Sequence, residues 1–366
     1  MKTPSAFDQV INLLWKLSCL EDPESDILDK ITAHTDWNNF WKICSDQGVA
    51  PLVYYQLKKH GFLDLLPPEE RERGARFYYA TVAQNALFFD ELKRIDQILS
   101  QKKIPYLLLK GTALIVSGIY PDPGLRPLAD IDFLVREKDI LPALKILTAN
   151  GFRHLPVPNF PPGFKNAPEY FLEFKQNRTE SVPLYFDLHS RLSAHSRFGP
   201  DNPEELWPRS GSSAFEGVSY QTLSVPDSIL FSSLHLAIHR FQARMIWLLD
   251  IKFLLDRQTP DWLELIRRAH KWNCTYPLLF TIKLITANLS LHLPDDFPKI
   301  PLSRDLIFSR MTRKPSPHLV ESYRRDRVRQ LLIDLSTQES FPRFIRFSSK
   351  YLRFRVERLL YREINR

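Results

Sequence analysis

Asp130-Ile131-Asp132 carries more chemistry per residue than any other stretch of this chain. Two carboxylates sit two positions apart within an apolar run that includes Leu128, Ile131, Phe133, Leu134 and Val135. In an extended segment, residues i and i+2 share a face with Cα atoms roughly 6.5 Å apart. Burying such a pair is costly without a counter-charge, and a hard divalent cation supplies one. A pair in this geometry can also bridge two ions about 3.5–4 Å apart. The competing readings are solvated acids at a strand end, or a cap for the next helix. The apolar flanks argue against plain solvation.

A second group lies about twenty residues upstream. Gly111-Thr112 follows the short apolar run 106–109 and opens a helical pattern. Such a mouth offers backbone N–H groups to a phosphate, and glycine permits close approach. The same dipeptide also serves as an ordinary strand-to-helix turn. Lys110 and Arg126 flank it and have the charge to hold phosphate oxygens or simply to face solvent. A third acid, Asp187, sits on the alternating segment 182–189, where Val182, Leu184, Phe186 and Leu188 point one way and Tyr185, Asp187 and His189 the other. That second face is either solvent-exposed or aimed at a site, with His189 beside the acid facing substrate or supporting the ligands. His235 and His239 stand four apart on a helical pattern with Arg244, Trp247 and Asp250 beyond. An i, i+4 histidine pair suits zinc, but no Glu follows His235 and no third ligand is suitably spaced. Helix packing is the plainer reading.

The elements that must position these residues follow from periodicity. Residues 5–20, 37–60 and 67–101 have helical spacing, the second broken at Asp46-Gln47-Gly48 and the third opened by Pro67-Pro68-Glu69-Glu70. Segment 106–109 reads as a strand, 111–120 as a helix, 121–128 as a loop, 130–135 as a strand, and 137–150 as a helix closed by Asn150-Gly151. Residues 156–168 are proline-rich and irregular; 169–175 and 182–188 read as strands, and the Ser/Pro/Gly-rich 193–219 as a loop. Helical patterns return from Pro226 onward, and 228–256 reads as one helix.

In this order the parts resemble the nucleotidyltransferase superfamily of DNA polymerase β-like enzymes: a strand, Gly-Thr at a helix start, Asp-hydrophobic-Asp on the next strand, and a lone Asp on a later strand. More narrowly, LLLKGTAL, YPDPGLRPLADIDFLV, FDLHSRL and LHLAIHRFQARMIWLLDI are similar to a group of uncharacterised bacterial nucleotidyltransferases, over about residues 35–290. The resemblance implies a catalytic and metal-binding trio at Asp130, Asp132 and Asp187, and nucleotide-binding roles for Lys110, Gly111, Thr112 and Arg126. It implies two Mg2+ ions, an NTP substrate, attack of a hydroxyl at the α-phosphorus and release of pyrophosphate. It also assigns the 228–256 segment to a region closing over the nucleotide, so His239 and Arg244 are expected at the cleft, with His189 beside the metals. One departure is the long gap between Gly111 and Asp130, which holds Pro121-Asp122-Pro123-Gly124 and Arg126.

Composition sets the outer bounds. With 366 residues, 44% hydrophobic and 25% charged, the chain has the make-up of an ordinary globular protein with room for two or three cores. Cys19, Cys44 and Cys274 are scattered, without disulfide or zinc spacing, which fits a reducing compartment. The N-terminal stretch reads as an amphipathic helix and not a signal peptide, so the expected location is cytoplasmic. The net charge of +8 is uneven: residues 1–100 hold 11 Lys+Arg against 15 Asp+Glu, and residues 301–366 hold 16 against 7. The basic, aromatic-laced stretch 340–366 suits an RNA backbone, an anionic membrane surface, or a solvated helix packed by its apolar side. The expectation is an α+β fold: a mixed-sheet nucleotidyltransferase core at 102–222, a helical region at 1–101, and a helical domain with a basic tail at 223–366. The leading function is Mg2+-dependent NMP transfer to a hydroxyl acceptor that the sequence does not name. The rivals are a nucleotide-binding protein that keeps the fold without turnover, and an RNA- or membrane-associated partner protein.

Overall fold

The computed structural model describes residues 6–18, 36–155, 171–176, 183–192, 198–242, 244–312 and 327–339, with single positions 342, 345 and 349. The proline-rich stretch 156–168 and nearly all of the basic stretch 340–366 lie outside the described residues.

The N-terminal part is helical: α1 (Ala6–Ser18), α2 (Trp37–Asp46), α3 (Ala50–Lys59) and the 34-residue α4 (Pro68–Gln101). Asp36 caps α2 by accepting from the Asn39 backbone N–H at 3.1 Å. Proline and two acids occupy the first turn of α4, where a missing N–H and negative charge are tolerated. Lys103, at φ +54°, turns the chain out of α4 toward the sheet. Phe88, Phe89, Leu92, Ile95 and Leu99 form the buried stripe of α4.

The sheet and its connecting helices follow: β1 (Tyr106–Leu108), α5 (Lys110–Val116), β2 (Asp130–Val135), α6 (Ile140–Ala149), β3 (Arg153–Leu155), β4 (Phe171–Gln176), β5 (Leu184–His189), β6 (Gly211–Phe215) and β7 (Val218–Thr222). Seven strands form one sheet in the order β3-β4-β5-β2-β1-β7-β6. The β2–β5 and β1–β7 pairs are parallel and the others antiparallel. Central β2 reads as a nearly continuous apolar run because both of its faces are covered. Six helices follow among the described residues: α7 (Val225–Ile238), α8 (Met245–Arg257), α9 (Trp262–Lys271), α10 (Thr275–Thr286), α11 (Leu302–Thr312) and α12 (Arg327–Ser336). This is the expected α+β arrangement of a mixed sheet flanked by helices. No described helix is long and apolar enough to cross a membrane.

Three sequence expectations are corrected. The segment 193–219 is not all loop: β6 and β7 form a hairpin around Glu216-Gly217, both with positive φ (+46° and +81°), as a tight two-residue turn demands. The segment 228–256 is not one helix. It breaks after Ile238, where Arg240 and Phe241 take φ of +53° and +55°, and α8 starts afresh at Met245. No glycine or proline marks this break. Burial of Phe241 against Phe280 and Phe308 holds the turn in place. The helix expected over 111–120 is also shorter, ending at Val116 ahead of Gly118 in the left-handed region.

Candidate functional site

Strand register builds the polar cluster. In the parallel β2–β5 pair Asp132 lies opposite Asp187, and Leu134 opposite His189. Because alternate residues share a face, Asp130, Asp132, Asp187 and His189 are on the same side of the two strands. One ligand atom from each of Asp132, Asp187 and His189 falls within 4.8 Å of the others, and among the described residues this is the group able to hold a metal ion. Asp130, half-buried at the start of β2, lies outside that trio.

Lys110 reaches the same cluster from the other side. The Leu109 N–H donates to the Asp132 carbonyl at 3.0 Å, so the end of β1 is fastened beside the acids. Lys110 then takes φ +50°, a left-handed conformation that costs a β-carbon-bearing residue roughly 1 kcal/mol. Its Nζ donates to Asp132 Oδ1 at 2.6 Å. Nε2 of His189 lies 2.9 Å from the same oxygen.

Charge and burial decide the protonation states. Burial alone would raise the Asp132 carboxyl, but the Lys110 charge and the contacts with His189 outweigh it and hold the acid well below the usual carboxylate range. Burial opposes the Lys110 ammonium, and Asp132, followed by Asp130 and Asp187, more than offsets this and raises it. His189 moves down because burial dominates the attraction of Asp132, a shift that favours the neutral ring. All three aspartates thus act on the Lys110 charge, and Asp130 acts on Arg126 as well. The donor set of carboxylate oxygens with one imidazole suits a divalent cation.

Arg126 occupies a different network. Its Nε and Nη2 donate to the two carboxylate oxygens of Asp250 at 2.9 and 2.8 Å, and Nη1 donates to the Pro127 carbonyl at 2.5 Å. The Tyr120 hydroxyl donates to Asp250 at 2.6 Å. Burial works against the guanidinium charge, yet Asp250 raises its pKa above the ordinary value. Gly111 packs directly on this group: a Cβ there would lie 3.1 Å from Arg126 Cζ and from Leu128 Cδ2. The glycine thus serves close packing as well as any ligand approach. Thr112 is buried beside it.

The loop carrying Arg126 is fastened to α4. Asn85 Nδ2 donates to the carbonyls of Pro123 (2.6 Å) and Arg126 (2.9 Å), and its Oδ1 accepts from Leu128 N–H (3.2 Å). The Tyr78 hydroxyl donates to Asp122, whose other oxygen caps Gly124. A Cβ on Gly124 would meet Val82 Cγ2 at 2.5 Å, so only glycine lets the loop lie this close to α4.

The far wall comes from α7 and α8. His235, His239 and Trp247 form one ring cluster with centroid distances of 4.5, 4.6 and 5.3 Å. Burial, then the charge of Lys110, lowers both histidines, and Asp132 and His189 also act on His235. His235, read from sequence as a packing residue, therefore stands near the acid cluster. Arg244 goes elsewhere: it is exposed, and its guanidinium donates to the Asp46 and Ser45 carbonyls at 2.8 and 3.3 Å, closing the end of α2.

The structure thus brings Lys110, Asp132, Asp187 and His189 together, keeps Gly111 and Arg126 adjacent to each other, and holds Arg244 at the α2 end. Asp250, Tyr120 and Asn85 were missed. Asp250 was visible as an acid amid the apolar residues of 245–255. No local signal exists for its pairing with a residue 124 positions away.

Among solved structures, the chain is similar to an antigenic nucleotidyltransferase-like protein from Paracoccidioides brasiliensis, at 14% identity and a TM-score of 0.34, over 52% of this chain and 84% of that one. No curated protein matches it. The profile of a family described as uncharacterised nucleotidyltransferases matches residues 33–290, a span that contains every group of the cluster, and the chain belongs to that family.

Proposed function

We propose that the protein is an Mg2+-dependent nucleotidyltransferase that moves an NMP from an NTP to a hydroxyl acceptor and releases pyrophosphate. The convergence of Asp132, Asp187 and His189 from strands more than fifty residues apart in sequence carries this reading, together with the family. Asp130, Asp132 and Asp187 would hold the divalent ions, two in number by resemblance. When bound, such ions stabilise charge on the attacking and leaving oxygens of an in-line displacement. Asp187 would also assist deprotonation of the acceptor hydroxyl.

The nucleotide side is assigned to Lys110, Gly111, Thr112 and Arg126. Lys110 brings an ammonium to the acids, positioned to neutralise a phosphate oxygen as it leaves Asp132. Arg126, held by Asp250, acts by fixing the wall behind Gly111. His239 and its neighbours His235 and Trp247 offer ring faces to a nucleobase or acceptor. The residues 102–222 would form the transferase core.

The test incubates the full chain with each α-labelled NTP, Mg2+ and a cell extract, and asks which fraction takes the label. Label transfer that needs Mg2+ and falls at least about 100-fold in Asp132→Asn is expected. Nucleotide binding without transfer under any acceptor fraction would favour a regulatory nucleotide-binding protein. Transfer unaffected by Asp132→Asn would reject the site.

A further inference from the structure

We propose that His189 supplies a nitrogen ligand to the divalent ion held by Asp132 and Asp187, so that this site favours Mn2+ over Mg2+ more than carboxylates alone would. The inference rests on the nucleotidyltransferase reading and specifies its metal chemistry.

The distances fit ligands of one ion. Adjacent ligands of an octahedral ion, each about 2.1 Å from the metal, lie about 3 Å from one another. Nε2 of His189 is 2.9 Å from Asp132 Oδ1, and the ligand atoms of the trio all lie within 4.8 Å. The backbone fixes this arrangement, because Asp187 and His189 are i and i+2 on β5 and paired in register with β2 at the middle of the sheet. Lys110 Nζ sits 2.6 Å from the same Asp132 oxygen, so an entering ion would displace the ammonium from it.

The preference follows from ligand chemistry. Mg2+ takes oxygen ligands and keeps several waters. Imidazole favours first-row transition ions, and affinity for them exceeds what oxygen donors alone provide. For ligation, the neutral ring must carry its hydrogen on Nδ1, leaving the Nε2 lone pair for the metal. The ring charge is unchanged, and the hydrogen moves between the two nitrogens through solvent. A purely orienting role would instead keep the Nε2 hydrogen on Asp132 when metal is bound.

Pulsed electron paramagnetic resonance on the full chain separates these roles, using Mn2+ with inorganic triphosphate, a probe that carries no nitrogen. The expected result is a directly bound nitrogen whose coupling changes when the protein is grown with 15N-labelled histidine. Labelling leaves the fold untouched, so this reading does not depend on any variant. His189→Gln is expected to abolish the coupling and to lower Mn2+ affinity about tenfold, with a smaller loss for Mg2+. Mn2+ binding without histidine coupling would overturn the nitrogen ligand and leave the transferase reading standing. So would coupling that survives His189→Gln but is lost in His235→Gln. Failure to bind Mn2+ at all, together with absent transfer, would reject the underlying site.

Discussion

Two clusters in this molecule each bury a cation against an aspartate, and they differ in how many further acids stand beside the pair. Arg126 and Asp250 make a bidentate pair, Tyr120 donates to the same carboxylate, and the remaining arm of the guanidinium finds the Pro127 carbonyl. That network is closed. Lys110 and Asp132 form an equally close pair, yet Asp130 and Asp187 bring two more carboxylates, and His189 turns a ring nitrogen toward the same oxygen. Burial alone does not separate a structural ion pair from a chemical site. The number of acids grouped around one cation does: a one-to-one pair is the pattern of a structural link, and several acids with an imidazole make the pattern proposed above for a metal site.

The sharpest way to break this contrast is to mutate the closed pair. Asp250→Ala leaves a buried guanidinium without its carboxylate, a loss of about 3–5 kcal/mol, read as a fall in thermal unfolding midpoint of roughly 5 °C. A change under about 1 kcal/mol would remove the distinction between the clusters. Asp132→Asn is the converse. It is expected to cut NMP transfer by about 100- to 1000-fold, worth about 3–4 kcal/mol in the transition state, while the unfolding midpoint falls less than in Asp250→Ala because Asp130 and Asp187 still act on the Lys110 charge. A variant as unstable as Asp250→Ala would mean that Lys110–Asp132 is structural too. Asn85→Ala strips three hydrogen bonds from the loop bearing Arg126. It should cost about 1–3 kcal/mol and raise KM for the nucleotide more than it lowers kcat. Tyr120→Phe removes a single donor from the closed pair; about 1 kcal/mol of stability is expected to go, with transfer rates unaltered.

The contrast also explains what sequence could convey. The β1–α5–β2 order and the Asp130-Ile131-Asp132 strand were legible, because alternation, a Gly-Thr break and apolar flanks are all local signals. Asp187 and His189 were legible as a face, but their meeting with Asp132 depends on which strands become neighbours, and spacing does not encode that. The β6–β7 hairpin was hidden by the Ser/Gly composition of its first strand, although Glu216-Gly217 between two short runs was a usable cue. The break between α7 and α8 gave no cue. Arg240 and Phe241 adopt a conformation their residue types disfavour, held by packing of Phe241 that comes from distant sequence. The Arg126–Asp250 pairing was hidden for the same reason, and so a residue read as a phosphate ligand proved to have a carboxylate partner of its own.

Arg126 is also the keystone of an arch. Its carbonyl hangs from Asn85 on the long N-terminal helix, and its guanidinium rests on Asp250 of a helix well over a hundred residues later. One residue thereby ties the two helices together, directly behind Gly111. The loop is therefore held at two points of different kind, a main-chain carbonyl on one helix and a charged side chain on the other, and cutting the guanidinium from Asp250 would leave only the first.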